Sequence, residues 1–338
     1  MTDSKNGAAG KLAGWFSSRN SGLSRCVIPV AAVVLLVVIP LVVESLYNLH
    51  ILIMVFFYVI AALSLRAIVI SGQFPLGHAA YMGIGAYASG MASKWLGLPP
   101  GLSIVGAAVF TMIIGILVAY SFARLRALYY AMGSLFLGVA IVQILNAGGT
   151  WTGGYSGLSG IPPMFDNSKV TWYYVALGLL ILSALALYRF ESSRIGTNLK
   201  AISQSHLVAE SVGIDEAKYR ILAVAVGSFF VGLAGAGYAH YVGTIATSNY
   251  NFMATMWLFM YVLVGGINNF YGPIVGTFIL ILIPEYFRSL KTYSPFISAG
   301  ILFLFVYLMP NGFAGLFELA VARIKGWRAG RTGNAAAD

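Results

Sequence analysis

The sequence predicts an all-α protein, a polytopic bundle of about ten transmembrane helical segments. Two observations indicate this fold. The chain of 338 residues is 59% hydrophobic and only 9% charged, whereas about 25% of the residues in an average soluble domain are charged. Its apolar residues are also gathered into runs close to the roughly 20 residues that a helix needs to cross a bilayer. Lipid is therefore the solvent around most of this chain.

Ten apolar runs are the candidate membrane segments. They lie at 26–43, 50–70, 76–94, 102–122, 128–146, 171–188, 220–242, 253–267, 272–288 and 295–310. Several are short and interrupted by glycine, which leaves open that one or two are short, broken or re-entrant. Residues 1–24 are polar and no small-residue cleavage pattern follows, so the first run is interpreted as a span rather than a signal peptide. The predicted organisation is a tail at 1–25, a transmembrane domain at 26–312 and a second tail at 313–338.

The lysine and arginine residues predict the orientation. With ten spans and a cytoplasmic N terminus, most basic side chains fall in cytoplasmic segments, as the positive-inside rule requires. Those that fall outside are Lys94, Lys169, Arg288 and Lys291. The last two share one external turn and would be counted differently if the ninth segment were re-entrant. Both tails are therefore expected in the cytoplasm, and the basic excess is interpreted as topology rather than as nucleic-acid binding.

A polar segment at 190–220 interrupts the apolar pattern and, on this orientation, faces the cytoplasm. Its sequence is FESSRIGTNLKAISQSHLVAESVGIDEAKYR. A moderately amphipathic helix is predicted over Asn198–Val212, ended by Gly213. Two interpretations are open, a helix that lies on the inner membrane surface and a helix that inserts into a groove of a cytosolic partner. The mixed charge favours the partner, because surface-seeking helices favour Lys and Arg.

The third run begins with a predicted break in the helix. Pro75 disfavours helical backbone at Phe74, so Ser71–His78 should be unwound, with a helix that starts near Ala79. A helix start offers N–H groups that can contact an anionic or polar solute. The candidate residues of a translocation pathway are Gln73, Gly77, His78 and Tyr81.

Packing offers a second interpretation of the same run. Glycine lets helices approach each other closely, and we assign Gly83, Gly85 and Gly90 to that role. Gln73 and His78 fit both interpretations equally. Polar groups at membrane depth are costly and usually functional, but His78 could also be a buried side chain with satisfied hydrogen bonds.

The sequence offers no catalytic, metal or nucleotide site, and no cofactor is predicted. The single cysteine, Cys26, excludes an intramolecular disulfide, and the four histidines are scattered. The Gly10-Lys11 pair is followed by Leu12 and lacks the first glycine of a phosphate-binding loop. This chain is therefore expected not to be an enzyme.

One acidic residue lies clearly within an apolar run. It is Glu285, and Arg288, three residues on, is its expected partner. A transporter driven by an ion gradient typically keeps acidic groups near the middle of the membrane. The shortage of such groups disfavours that class.

A glycine-rich connection at 148–170 joins the fifth and sixth runs. Its sequence is GGTWTGGYSGLSGIPPMFDNSKV. These residues predict turns and irregular backbone, which is tolerated in water or against protein but not against lipid. The connection is either a plain linker, or a surface that docks an external partner or covers the mouth of a pathway. Its unusual length favours a function.

Four blocks of sequence, in order along the chain, resemble signatures of the branched-chain amino acid type permeases of ABC importers, and most of all the LivM-like subfamily. The blocks are SGQFPLGHAAYMGIGAY, TGGYSGLSGIP, GTNLKAISQSHLVAESVGID and GGINNFYGPIVGTFILILIPEYFR, and with the spans they cover about 50–312. Two positions depart from the family pattern. Arg66 stands where an uncharged polar residue such as Asn is expected, and Tyr155-Ser156 stand where relatives tend to carry an acidic residue. Both departures leave the solute open.

The resemblance implies a permease subunit of an ATP-driven importer that moves neutral or branched-chain amino acids across the bacterial inner membrane. The partners that it implies are a second, similar permease (a heterodimer is favoured), two cytosolic ATP-binding subunits and a periplasmic solute-binding protein. The residues expected to couple to the ATPase are Ala209, Glu210, Ser211 and Gly213. Glu210 would anchor the turn of the coupling helix, and Gly213 would permit the chain reversal after it. Urea or another small polar solute is the alternative within the family, and an ion-gradient-driven secondary transporter is the alternative outside it.

Overall fold

The computed structural model describes residues 33–40, 45–123, 125, 127–165, 168–287 and 300. Within these residues the chain forms twelve α-helices, two short 3₁₀ helices (Gly154–Ser156 and Thr247–Tyr250) and two strands of two residues each, which confirms the predicted all-α fold. The α-helices and strands are numbered here. In chain order they are α1 (33–40), α2 (Leu46–Val69), α3 (His78–Trp95), α4 (Pro100–Phe122), α5 (Ala127–Ala147), α6 (Gly149–Thr152), β1 (Leu158–Ser159), α7 (Lys169–Ser192), α8 (Arg194–Gln204), α9 (His206–Ser211), α10 (Glu216–Val242), β2 (Thr244–Ile245), α11 (Phe252–Gly265) and α12 (Gly272–Tyr286).

Five of the described helices are long and apolar enough to cross a membrane, namely α2, α4, α5, α7 and α10. Helices α11 and α12 are apolar but have only 14 and 15 residues. At 1.5 Å per residue they reach roughly 21 to 23 Å, short of the roughly 30 Å of a hydrocarbon core. The chain is therefore a multi-pass membrane protein, and the expectation that one or two segments are short is confirmed.

Parts of the predicted organisation lie outside the described residues. They are both predicted tails (1–25 and 313–338), the start of the first segment at 26–32, and the tenth segment at 295–310 apart from residue 300. The domain boundaries drawn from the sequence stay a prediction.

Helix α2 lies at the centre of the bundle. It packs against α7, α10, α11 and α12, and nearly all of its side chains from Val55 onward are buried, including Phe56, Phe57 and Leu63. Helix α4 is equally apolar but much less buried, so it is the burial of α2, and not its composition, that marks it as the central helix. The other elements are therefore positioned around α2.

Glycine brings α3 and α10 into backbone contact. A Cβ atom at Gly85 would lie 2.2 Å from the carbonyl oxygen of Gly232, and one at Gly235 would lie 2.0 Å from that of Met82. A Cβ at Gly90 would lie 2.9 Å from the Ile161 side chain. The prediction that glycines of the third run serve packing is confirmed.

The bundle has two distinct ends. The polar end carries α8 and α9, and the sheet end carries β1 and β2, which pair antiparallel with Leu158 opposite Ile245. The described basic residues at the polar end are Arg66, Arg189, Arg194, Lys200, Lys218 and Arg220, and those at the sheet end are Lys94 and Lys169. This asymmetry matches the pattern from which the orientation is predicted.

The glycine-rich connection covers the sheet end. Gly153 and Gly157 have φ of +77° and +80°, a left-handed conformation that only glycine adopts without strain. A Cβ at Gly157 would also lie 2.2 Å from the Ile245 carbonyl oxygen. Leu158 is 1% exposed, so part of this connection is buried against the bundle and is not a loop in water.

We expect Gly85→Ala to destabilise the bundle, because the added methyl group forces α3 and α10 apart. Overpacking of this kind costs about 1–3 kcal/mol and should lower the thermal unfolding midpoint of the detergent-purified protein. Gly106→Ala in α4 is the matched control, since nothing lies within 4 Å of its added Cβ. Equal midpoints for the two variants would contradict the α3–α10 contact.

Candidate translocation and coupling site

The predicted break before α3 is confirmed. Helix α2 ends at Val69, residues 70–77 form turns and irregular backbone, and α3 begins at His78, one residue from the predicted start. Gly72 has φ of +80°, which allows the chain to reverse at the polar end before it returns towards the centre of the bundle.

His78 is fully buried, and its two ring nitrogens differ in their hydrogen bonding. Its Nε2 lies 2.9 Å from Ser64 Oγ, and the Ser64 hydroxyl donates to the Ala61 carbonyl (2.7 Å). Nε2–H is then the donor to Ser64, and Nδ1 is left without a hydrogen-bond partner among the described residues, as is Oε1 of the buried Gln73. Both atoms are therefore buried acceptors that could still take a hydrogen bond. Leaving a buried polar atom unsatisfied costs about 1–3 kcal/mol.

A second break lies between α10 and α11, where the sequence predicted a connection between the seventh and eighth runs but not that it enters the bundle. Residues 243–251 pass through β2 and a short 3₁₀ turn, Thr247–Tyr250. The segment enters the bundle, because Tyr250 is 2% exposed and a Cβ at Gly83 would lie 3.0 Å from its side chain. Asn251 then caps α11, its Oδ1 accepting from the Ala254 N–H (3.1 Å). Helix α11 therefore begins beside a buried segment of the bundle.

The two breaks meet at the start of α3. The Ala79 N–H, free of its own helix at this position, donates to Thr255 Oγ1 of α11 (3.1 Å). One of the N–H groups that the sequence suggested for a solute is therefore used inside the protein. The helix starts of α3 and α11 lie side by side, as in transporters that place their solute site at discontinuous helices.

A small cavity separates these helix starts from α5. Its lining includes Gly77, Gly138, Asn251 and Thr255, and its volume is about 10 Å³, close to that of one water molecule. A Cβ at Gly77 would lie 2.1 Å from the Ser134 carbonyl oxygen, so α3 and α5 are in contact. In this conformation the gap is closed to an amino acid.

The structure places the four candidate pathway residues in one region. Gly77 lines the cavity, and Tyr81 is buried with its ring 6.4 Å from that of His78. Gln73 and His78 carry the unsatisfied atoms. Their role in translocation stays a prediction.

The single helix predicted over Asn198–Val212 is wrong, because the segment forms two helices, α8 and α9. Ser205 separates them in an extended conformation (φ −161°, ψ 109°), and its Oγ accepts from the Val208 N–H at 3.4 Å. Serine favours helix starts because its hydroxyl oxygen can accept a hydrogen bond from one of the first N–H groups, which have no partner within the helix. Ser193 caps α8 in the same way, accepting from the Ile195 N–H at 3.2 Å.

Gly213 ends α9, as predicted. Its φ is +83°, its N–H donates to the Glu210 carbonyl (2.9 Å), and the next N–H, of Ile214, donates to that of Ala209 (3.0 Å). This is the usual left-handed glycine stop of a helix. Of the expected coupling residues, Ala209 is buried, whereas Glu210, Ser211 and Gly213 are exposed.

An apolar patch accompanies these exposed residues on the polar end. Leu207, Val208 and Val212 are each 64–70% exposed, on a segment (190–220) that carries eight charged residues. Apolar side chains in such surroundings are typical of a surface that another protein covers.

A buried arginine links three elements at the polar end. The Nη2 of Arg66 lies 2.8 Å from Glu191 Oε1 at the end of α7, and its Nη1 donates to the Ile267 carbonyl (2.9 Å) in the turn before α12. Lys200 of α8 lies 2.8 Å from the same Glu191 oxygen. Sequence reasoning marked Arg66 only as a departure from the family pattern. A charge at the end of an apolar run was the available signal, but its partner is 125 residues away.

Glu285 is also paired, at the sheet end. The Tyr47 hydroxyl donates to its Oε1, while its expected partner Arg288 lies outside the described residues. No group of three or more potential metal ligands occurs within the described part of the chain.

Discontinuous helices that meet inside a multi-pass bundle are typical of membrane transport proteins. Residues 47–309 match the family model described as the permease component of branched-chain amino acid transport systems. The chain belongs to this family, which is one of transport permeases and not of enzymes.

Individual relatives agree with the family match. The chain is 26% identical over 289 residues to the high-affinity branched-chain amino acid transport permease LivM of Salmonella typhimurium, covering 77% of this chain and 68% of that protein. It is 26% identical to LivM of Escherichia coli (75% and 67% covered). It is also 29% identical to the permease LivH of Escherichia coli (74% and 88% covered). No solved structure matches the chain.

We expect Thr255→Val to destabilise the contact between the two breaks. The change keeps the side-chain shape but leaves the buried Ala79 N–H without an acceptor, at a cost of about 1–3 kcal/mol. Thr277→Val is the matched control, because that buried hydroxyl donates to Pro273 of its own helix (2.7 Å). Thermal unfolding in detergent should show a lower midpoint for Thr255→Val than for the control. Equal midpoints would mean that the Ala79–Thr255 bond contributes nothing.

Proposed function

We propose that this chain is the permease subunit of an ATP-driven ABC importer that moves neutral or branched-chain amino acids across the bacterial inner membrane. Family membership supports the solute class, since LivM and LivH are both named as permeases of branched-chain amino acid transport systems. Similarity to two such permeases supports a second permease beside this chain. A heterodimer is the favoured arrangement.

The observation that carries the proposal is the α8–α9 segment with its exposed apolar patch. Two cytosolic ATP-binding subunits would supply the energy, because the sequence holds no phosphate-binding loop. One of them would receive α9 in a groove, with Leu207, Val208 and Val212 as apolar anchors. Glu210, Ser211 and Gly213 would lie at the rim of this contact, and buried Ala209 would fix α9 to the bundle.

The polar end is proposed to face the cytoplasm, with both chain termini on that side. The excess of basic residues at this end supports the orientation. The sheet end would then face the periplasm, where a solute-binding protein would dock on the glycine-rich connection.

The region of the two breaks is proposed as part of the translocation pathway. Gln73, Gly77, His78 and Tyr81 would contact the solute or the space that opens for it. The open acceptors on Gln73 and His78 support this role, because each could accept a hydrogen bond from the ammonium group of an amino acid.

We expect Glu210→Arg and Gly213→Pro to uncouple transport while leaving the chain in the membrane. Arginine reverses the charge at the partner contact, and proline cannot adopt the positive φ of Gly213. Solute uptake and solute-stimulated ATP hydrolysis should both fall, with the amount of membrane-inserted chain unchanged on a blot. Ser192→Arg, at an exposed site on α7 at the same end, is the control. If uptake and stimulation survive in both variants, the coupling role is wrong.

Purification of the chain from its native membrane tests the function directly. The chain should bring two ATP-binding subunits and a second permease with it. In vesicles with the external binding protein, the assembly should take up labelled leucine only with ATP and regardless of a protonophore. Uptake of urea but not leucine would select the alternative within the family. Uptake by the chain alone, driven by an ion gradient, would contradict the proposal.

A further inference from the structure

Arg66 is the most buried basic side chain at the polar end, with 2% of its side chain exposed. It lies one turn before the end of the central helix α2. Its guanidinium group contacts α7 through Glu191 and the α11–α12 turn through Ile267 at the same time. The planar fork of arginine holds two such acceptors in fixed directions, which the point charge of a lysine does not.

These contacts are strong because they are buried. Charge-assisted hydrogen bonds are roughly twice as strong as neutral ones, and removal of one member of a buried ion pair leaves the other charge uncompensated. Glu191 is 11% exposed, whereas Lys200, the second cation on its Oε1, is 49% exposed. The lysine therefore adds little to the pair, and the bond between Arg66 and Glu191 is the principal one.

Helix α8 packs close to the elements that surround Arg66. A single residue, Ser193, separates α8 from α7, and Leu199 packs with Ile70 and Ala223 in one buried apolar cluster. A Cβ at Gly72 would lie 3.3 Å from the Cα of Ser203. A displacement of α8 must therefore displace the end of α7 and the contacts of Arg66.

Ile267, the other partner of Arg66, is connected through α11 to the region of the two breaks. Ile267 lies directly after Gly266, which ends α11 with φ of +105°. Helix α11 begins beside the cavity and holds the start of α3 through Thr255. A movement of the turn at 266–271 is therefore passed along a rigid helix of 14 residues to the cavity.

We propose that Arg66 is a positioning residue that passes displacement of the α8–α9 segment to the α11–α12 turn, and so couples events at the polar end to the cavity. The proposal rests on the proposed ATP-driven function and adds to it a defined mechanical link. Sequence resemblance did not indicate this link, because the position departs from the family pattern.

The test compares Arg66→Lys with Arg220→Lys in the assembly purified with its partners. Lysine at 66 keeps the charge next to Glu191 but loses the simultaneous bond to Ile267. We expect the amount of solute transported per ATP hydrolysed to fall at least about fivefold, which is the lower end of typical coupling factors between two sites. Arg220 is also buried, and its ion pair with Glu216 joins two residues of one helix. Arg220→Lys therefore makes the same exchange at a buried ion pair that does not join α2 to α7, and we expect it to keep the wild-type ratio.

A distance measurement separates a mechanical link from a purely structural role. Spin labels would be placed at the exposed positions Gln204 and Asn268 after Cys26→Ser. With Arg66 present, their separation should stay constant between the nucleotide-free and ATP-bound assemblies. In Arg66→Lys it should change by several ångström, because α8 then moves without the turn.

The outcomes distinguish the two proposals. If the wild-type assembly shows no ATP-dependent uptake, the proposed function fails and the Arg66 link fails with it. If the wild type is active but Arg66→Lys keeps both its transport-to-ATP ratio and its fixed label separation, only the Arg66 link is overturned.

Discussion

Inside a bilayer every backbone N–H and C=O must find its partner within the protein, and this constraint governs how the chain can interrupt its helices. Each break is tolerated because another element supplies the missing hydrogen bonds. The Leu76 N–H bonds to Ser134 Oγ of α5 (3.0 Å), and the Ala79 N–H bonds to Thr255 Oγ1 of α11. At the sheet end, the backbone groups of β1 and β2 form hydrogen bonds with each other. The two breaks are therefore built as a pair, and neither would be stable against lipid alone.

Close packing follows from the same pairing. Glycine at the contacts of α3 with α5 and α10 brings the backbones together, and only about 10 Å³ remains between the helix starts. Interiors of this density do not deform continuously, and they change by shifts of whole elements. Opening a passage for an amino acid thus requires α3, α5 or α11 to move as a body. The polar end, where α8 and the α11–α12 turn are held by buried contacts, is where such a movement can be imposed.

Much of the fold could be predicted from the sequence, because hydropathy and the chemistry of Pro75 and Gly213 act locally. The long spans, the break before α3 and the stop of α9 belong to this group. The connection at 243–251 was expected from the ends of the seventh and eighth runs, but its burial could not be predicted, since the same residues would suit a connection in water. The split at Ser205 was missed because serine is only weakly unfavourable within a helix. The partner of Arg66 was missed because sequence separation carries no information about contacts between distant helices.

The pair formed by Arg66 and Glu191 also restricts how this chain can vary. Losing Glu191 leaves Arg66 as a buried charge without this counterion, at a cost of about 3–5 kcal/mol, whereas losing Arg66 leaves Glu191 with the more exposed Lys200. A cost of that size is a large fraction of the roughly 5–15 kcal/mol by which folded domains are stable. The two positions lie in different halves of the chain, so the bond between them constrains α2 and α7 together. A chimaera that joins α2 of this protein to an α7 without an acidic residue at this position would leave Arg66 as a buried charge.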